Sequence, residues 1–216
     1  MFSYKSVYRG KGLLPPVFTG STLKLFALVF MLIDHIGAVI LEHGVIHAYN
    51  QQLPTALSYP ASLFCSQIDQ VLRGIGRLAF PIFCFLLVEG FFHTSNRKKY
   101  AFRLFLFALI SEIPFDLAFN SSILEFSYQN VMFTLFFGLL TIWGMEKSRS
   151  IHPLLPLLPA AAGILAGWFF QADYNWRGIV LIIILYVFYQ YPLEKTIAGC
   201  LCLLWEPLAC LAFIPL

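Results

Sequence analysis

The sequence predicts an all-α membrane protein, a polytopic bundle of about seven transmembrane helices in one domain with a cytoplasmic N-terminus. Three observations lead there. Of the 216 residues, 59% are hydrophobic and only 12% charged, about half the charged fraction of an ordinary soluble domain. The apolar residues gather into runs close to the length that crosses about 30 Å of hydrocarbon as a helix. Lys and Arg fall between the runs, and all but Arg73, Arg77 and Arg177 collect on one side of them. By the positive-inside rule that side is cytoplasmic.

Taken in order, residues 1–22 form a basic cytoplasmic tail with Lys5, Arg9 and Lys11, too long and interrupted for a cleaved signal peptide. Residues 23–216 form the transmembrane domain. Its first run, Leu23 to Leu41, is long enough to span a bilayer and carries Asp34 and His35 inside it. A mostly polar stretch at about 42–72, broken by Pro54 and Pro60, reads as an external loop. Runs follow at about 73–93, 101–119, 129–145, 153–170, 178–191 and 197–216, the fifth holding Gly163 and Gly167 in a G-x-x-x-G spacing suited to close helix packing.

The five cysteines, Cys65, Cys84, Cys200, Cys202 and Cys210, lack a C-x-x-C spacing and imply neither a disulfide framework nor a zinc site. With a net charge of +3 and no basic patch beyond the connections, no nucleic-acid partner is expected; membrane lipids are.

Orientation assigns a depth to each polar residue. Asp34 and His35 fall in the outer half of the first run and Arg77 in that of the second, while Glu112 and Asp116 end the third. Gln129 and Asn130 open the fourth, and Asp173, Asn175 and Arg177 sit in the external connection before the sixth. An ionisable group at such depth costs roughly 2.5–3.5 kcal/mol on insertion scales, so it has a partner or a task. His35 is the candidate base or nucleophile, because imidazole changes charge near neutral pH. Asp34 is adjacent and points elsewhere on a helix, so the acids spaced i, i+4, Glu112 and Asp116, are expected to orient the imidazole, with Arg77 balancing their charge. A buried ion-pair network that only fixes helix packing accounts for the same residues.

His43 and His47 share a face near Glu42 without a third ligand, and no metal is expected. Arg97, Lys98, Lys99 and Arg103, with His93, Glu89 and Lys24 close by, lie at the cytoplasmic end. They serve as the topological anchor or grip the phosphates of a nucleotide-bearing donor.

Four stretches, LKLFALVFMLIDHIGAVI, RGIGRLAFPIFCFLLVEGFFHTSNRKKYAFRLFLFALISEIPFDLAF, YQNVMFTLFFGLL and DYNWRGIVLI, resemble in order and spacing the TraX family, named for N-terminal acetylation of conjugative pilin. The resemblance covers roughly Leu23 to Ile183. Members continue into a further basic connection and a last helix, whereas this chain stops at Leu216 within apolar sequence. The resemblance implies a multi-pass acyltransferase of the bacterial inner membrane, related to the transmembrane acyltransferase superfamily. Acetyl-CoA would be the cytoplasmic co-substrate, and His35, with Asp34 beside it, the membrane histidine. The acceptor would be an amine or hydroxyl at the outer face, on pilin or a cell-envelope glycan, with Gln129 and Asn130 donating to the developing oxyanion. A proton-coupled transporter and a non-catalytic scaffold of conjugation or secretion machinery are the rival expectations.

Overall fold

The computed structural model describes residues 19–53, 58–119 and 128–202. The tail cations Lys5, Arg9 and Lys11, as well as Pro54, Cys210 and most of the seventh run, lie outside the described residues. The described chain is helical, with one isolated parallel bridge between Gln129 and Ala172.

Helix α1 runs unbroken from Gly20 to Asn50. Thr19 caps it, its hydroxyl accepting from the Thr22 amide at 3.2 Å. From Ile36 to Ile46 it widens into a π-helix, a form that collects at functional sites. Helix α2, Tyr59–His93, has two arms, Tyr59–Gly76 and Ala79–His93, meeting at Arg77 and Leu78. The loop expected at 42–72 is therefore mostly helix. The prolines misled because Pro60 sits in the first turn of α2, where a missing N–H costs nothing.

Helix α3 spans Arg97–Phe119 and α4 spans Val131–Arg149; α5, α6 and α7 are Leu157–Phe169, Asn175–Val187 and Pro192–Cys202. Asn96 and Asn130 cap α3 and α4, accepting from the amides of Lys99 and Met132 at 2.9 Å each. Of these helices α1 and α2 are long and apolar enough to cross a membrane, while α5 and α6 are shorter apolar helices.

The core lies between α2, α4 and α6, with Phe91, Leu139, Ile142, Ile182 and Leu185 almost wholly buried. Small residues bring the backbones close there. A side chain at Gly163 would collide with Thr141, and one at Gly167 with Ile179, so the G-x-x-x-G pair packs α5 against both α4 and α6. Helix α3 is peripheral. Its buried residues, Ala101, Leu104, Ala108, Glu112 and Asp116, form a single stripe, which packs on α4.

Side-chain bonds fix which helix ends lie together. Arg97 at the start of α3 pairs with Glu146 near the end of α4 at 3.0 Å, and Tyr189, just past α6, donates to Glu89 near the end of α2 at 3.0 Å. These termini, with Lys24, Lys98, Lys99, Arg103, Lys147 and Arg149, make a basic end of the bundle. The opposite end carries the polar residues described next.

The first arm of α2 meets α1 through Gly76, where a Cβ would fall on Asp34, including its Cα at 2.7 Å. Backbone cannot give way there as a flexible side-chain tip can. Gly76→Ala is expected to separate the helices and destabilise the protein by about 1–3 kcal/mol, measured as a lower midpoint of thermal unfolding in detergent.

Candidate functional site

The end of the bundle opposite the basic one holds a cavity of about 860 Å³ between α1, the first arm of α2, the end of α3 and the connections before α4 and α6. Its polar lining includes Asp34, His35, Glu42, His43, Arg73, Arg77, Asp173 and Arg177, and its apolar lining includes Met31, Phe115, Phe119 and Trp176.

Asp34 and His35 are placed by the last α-helical turn before the π-helix begins. The His35 Nδ1 lies 2.9 Å from the Met31 carbonyl oxygen. A carbonyl only accepts, so Nδ1 carries a proton and donates, and Nε2 is left as the ring nitrogen without this partner. Asp34 Oδ2 is 3.8 Å from the same Nδ1, but its principal partner is Arg73, whose Nη1 donates to it at 2.5 Å. Arg73 Nε also faces Glu42 at 3.8 Å. Phe119, closing α3, stands edge-on to His35 and His43, with ring centroids 6.3 and 5.3 Å apart.

The far wall is the connection before α6, held unusually firmly. Tyr174 and Asn175 both have positive φ, 60° and 49°, a conformation that non-glycine residues adopt only when their surroundings impose it. Those surroundings are visible. Tyr174 stacks on Phe80 at 3.6 Å, and the Asp173 amide donates to the Gln129 carbonyl at 2.9 Å. The Asp173 carbonyl accepts from the Thr134 hydroxyl, and its carboxylate from Tyr128 at 2.7 Å and the Tyr174 amide at 2.9 Å. Burial pushes the Asp173 carboxyl above the ordinary carboxylate range, against the opposing pull of the Tyr128 hydroxyl. Burial and then the Asp173 charge push the Tyr128 hydroxyl up as well.

The family model described as TraX protein matches residues 19–215. The chain belongs to the TraX family. A relative, the probable fimbrial assembly protein FimC of serogroup H1 from Dichelobacter nodosus, is 31% identical over 189 residues, which cover 84% of this chain and 67% of the relative. No solved structure matches the chain at a significant level. Family membership together with the two long apolar helices makes this a membrane protein.

In this TraX-family chain Asp34, His35, Arg77 and Asn130 line one cavity with Glu42, His43, Asp173, Asn175 and Arg177, whereas Glu112, Asp116, Gln129, Arg97, Lys98, Lys99 and Arg103 are not among its lining. Glu112 and Asp116 are buried on the inner stripe of α3 and do not orient His35; the Met31 carbonyl does. Glu112 instead accepts from Asn130, through both its side-chain amide and its backbone N–H. That corrects the oxyanion role expected of Asn130. Its amide hydrogens go to Glu112 and to the Ala108 carbonyl at 2.9 Å, and its oxygen caps α4, so no donor is left over. Gln129 contributes its backbone, bridging to Gln171 and Asp173.

Arg73 pairs with Asp34. Arg97 is committed to Glu146 and to the face of Phe91, 4.3 Å away, while Lys98, Lys99 and Arg103 are exposed at the basic end. Among the described residues no three His, Cys, Asp or Glu side chains are grouped to hold a metal ion. Tyr128, Tyr174 and Trp176 were not anticipated; only the fold brings these aromatics to His35.

Proposed function

We propose that this TraX-family protein is a membrane-embedded acetyltransferase, moving an acetyl group from acetyl-CoA to an amine or hydroxyl acceptor. The observation that carries the reading is His35, an imidazole whose Nδ1 is tied to the Met31 carbonyl at the wall of a roomy, charged cavity, which leaves Nε2 as the nitrogen that can exchange a proton. A positioned ring nitrogen of that kind is what general-base catalysis needs. In the transfer, the acceptor nitrogen or oxygen attacks the thioester carbonyl carbon, the new C–N or C–O bond forms and the C–S bond breaks. Nε2 takes the acceptor proton and returns it to the departing thiolate. Arg77 and Arg177 line the cavity and carry the positive charge suited to the charge that develops on the carbonyl oxygen.

The topology that goes with this reading is a seven-helix bundle in the bacterial inner membrane, with the basic end in the cytoplasm and the His35 cavity toward the outer face. The fimbrial assembly relative makes a pilin N-terminus the first acceptor to try, with cell-envelope glycans second. A second reading draws on the same relative's name: a scaffold for pilus assembly in which the ion pairs only lock the helices.

The test uses protein in lipid nanodiscs, radiolabelled acetyl-CoA, and two acceptors, an apolar helical peptide with a free amino terminus and an oligosaccharide. Label in either acceptor supports transfer. No label in both, from protein that still restores piliation to a null strain, establishes the scaffold instead.

A further inference from the structure

An amine acceptor brings one proton more than His35 can dispose of. An amino terminus ordinarily titrates at about 7.7–8.0, so at neutral pH most of it is ammonium, which has no lone pair to attack a carbonyl. Two protons must therefore leave its nitrogen. His35 takes one at Nε2 and returns it to the departing thiolate. The sum is ammonium plus thioester giving amide, thiol and one free proton, and a hydroxyl acceptor leaves no such surplus.

The free proton needs a second base at the cavity, and the lining narrows the choice. Asp34 is held by Arg73 Nη1 and Glu42 faces Arg73 Nε at 3.8 Å, so a proton on either carboxylate breaks its pairing with the guanidinium. Asp173 already accepts from Tyr128 and from the Tyr174 amide. Arg73, Arg77 and Arg177 are cations with no acceptor to offer. His43 remains. It lines the same cavity, it is exposed, and among the described residues no hydrogen bond holds either of its ring nitrogens. Both imidazoles meet Phe119 edge-on, with ring centroids 6.3 Å away for His35 and 5.3 Å for His43, so one aromatic side chain of α3 holds the two at one wall. His43 comes after His35 on α1 and so lies further from the basic end.

We propose that His43 is a second base of the site, which takes the surplus proton of an ammonium acceptor and passes it to water. Before the attack an N–H bond of the ammonium breaks, its electron pair stays on the acceptor nitrogen, and the proton bonds to the unprotonated ring nitrogen of His43. The neutral amine then attacks as described above. The inference rests on the acetyl-transfer reading with an amine as acceptor.

The ionisable groups around His43 come from three helices and the far wall. Glu42 and His47 are on its own helix, and Asp69 and Arg73 of α2 stand against Gly37 of the π-helical stretch, with Arg77 four residues on. Glu112 and Asp116 of α3 lie on its buried stripe, while Tyr128, Asp173 and Arg177 face the cavity from the connections. By their ordinary values only the imidazoles of this set change charge between about pH 6.5 and 9, and His47 is not part of the cavity lining.

The experiment follows acetyl-CoA turnover at saturating acceptor by full-length protein in nanodiscs across that pH range. Two peptides of one sequence serve as acceptors, one with an ordinary amino terminus and one ending in an aminooxy group, whose nitrogen is unprotonated throughout. At pH 6.5 only about one amino terminus in twenty-five is neutral. His43→Gln is therefore expected to lower kcat on the amino peptide by about tenfold or more at that pH and by less than about threefold at pH 9, and to stay within about threefold of the parent on the aminooxy peptide at every pH. His43→Phe, which keeps a ring against Phe119 but has no base, should give the same profile, and His47→Gln the parent's. A parent-like kcat of His43→Gln at pH 6.5 overturns the proposal. So does an equal loss on both peptides at every pH, which makes His43 a packing residue. Label passing from acetyl-CoA only to an oligosaccharide overturns the proposal and leaves acetyl transfer standing, whereas label passing to no acceptor overturns both.

Discussion

His35→Ala is expected to lower acetyl transfer by about 10²–10⁴-fold, the usual contribution of a positioned general base, while leaving the folded protein intact. The second half of that statement follows from the side chain's surroundings. The imidazole is 47% exposed, and among the described residues its hydrogen bond goes to a carbonyl in its own helix. Removing it leaves no buried group unsatisfied and opens no core void, so stability should move by less than about 0.5 kcal/mol. Activity and thermal midpoint therefore part company, which is how a base differs from a packing residue. His35→Gln makes the comparison stricter, since it preserves size and a donor but offers no basic nitrogen. Added imidazole should restore part of the transfer in His35→Ala, because the cavity at that position is large enough to admit it. Transfer by His35→Ala within threefold of the parent would remove His35 from the chemistry.

The helical character was legible because it depends on composition, and composition needs no neighbours. The positions of the apolar runs followed for the same reason. The 42–72 stretch was misread because polarity and two prolines were weighed as breakers, whereas a proline in a first turn and a π-helical extension both continue a helix. At the site, the sequence singled out Asp34, His35 and Arg77 by one argument, that ionisable residues in apolar runs are expensive. It could not say which acid meets which base. Arg77 was set against Glu112 and Asp116 by depth alone, and the pairing of Arg73 with Asp34 depends on the close approach of α1 to Gly76. Asn130 shows the limit of reading by residue type. An amide near a histidine looks like an oxyanion donor until its hydrogens are traced to Glu112 and Ala108.

The Asp34–Arg73 pair gives the largest expected effect on stability. Arg73→Met should cost about 3 kcal/mol, because it strands a carboxylate that is partly buried between two helices. Asp34→Asn should cost less, since Arg73 keeps Glu42 at 3.8 Å as a second acid and reaches the cavity, where it remains solvated. The double variant Asp34→Asn, Arg73→Met should then be more stable than Arg73→Met alone, since the stranded charge has gone with its partner; equal unfolding midpoints for the two would show that the ion pair carries no coupling energy. Transfer should separate the same variants differently. If Asp34 serves only to hold α1 against α2, the double variant recovers activity along with stability. If the Asp34 charge, 3.8 Å from His35 Nδ1, also steadies the imidazolium that forms when Nε2 takes the acceptor's proton, stability returns and activity does not. The carboxylate lies on the side of the ring where the Met31 carbonyl already accepts, so the positive charge would be met by both. Kinetics of the double variant at full folded yield therefore decide whether Asp34 belongs to the chemistry or to the helix contact.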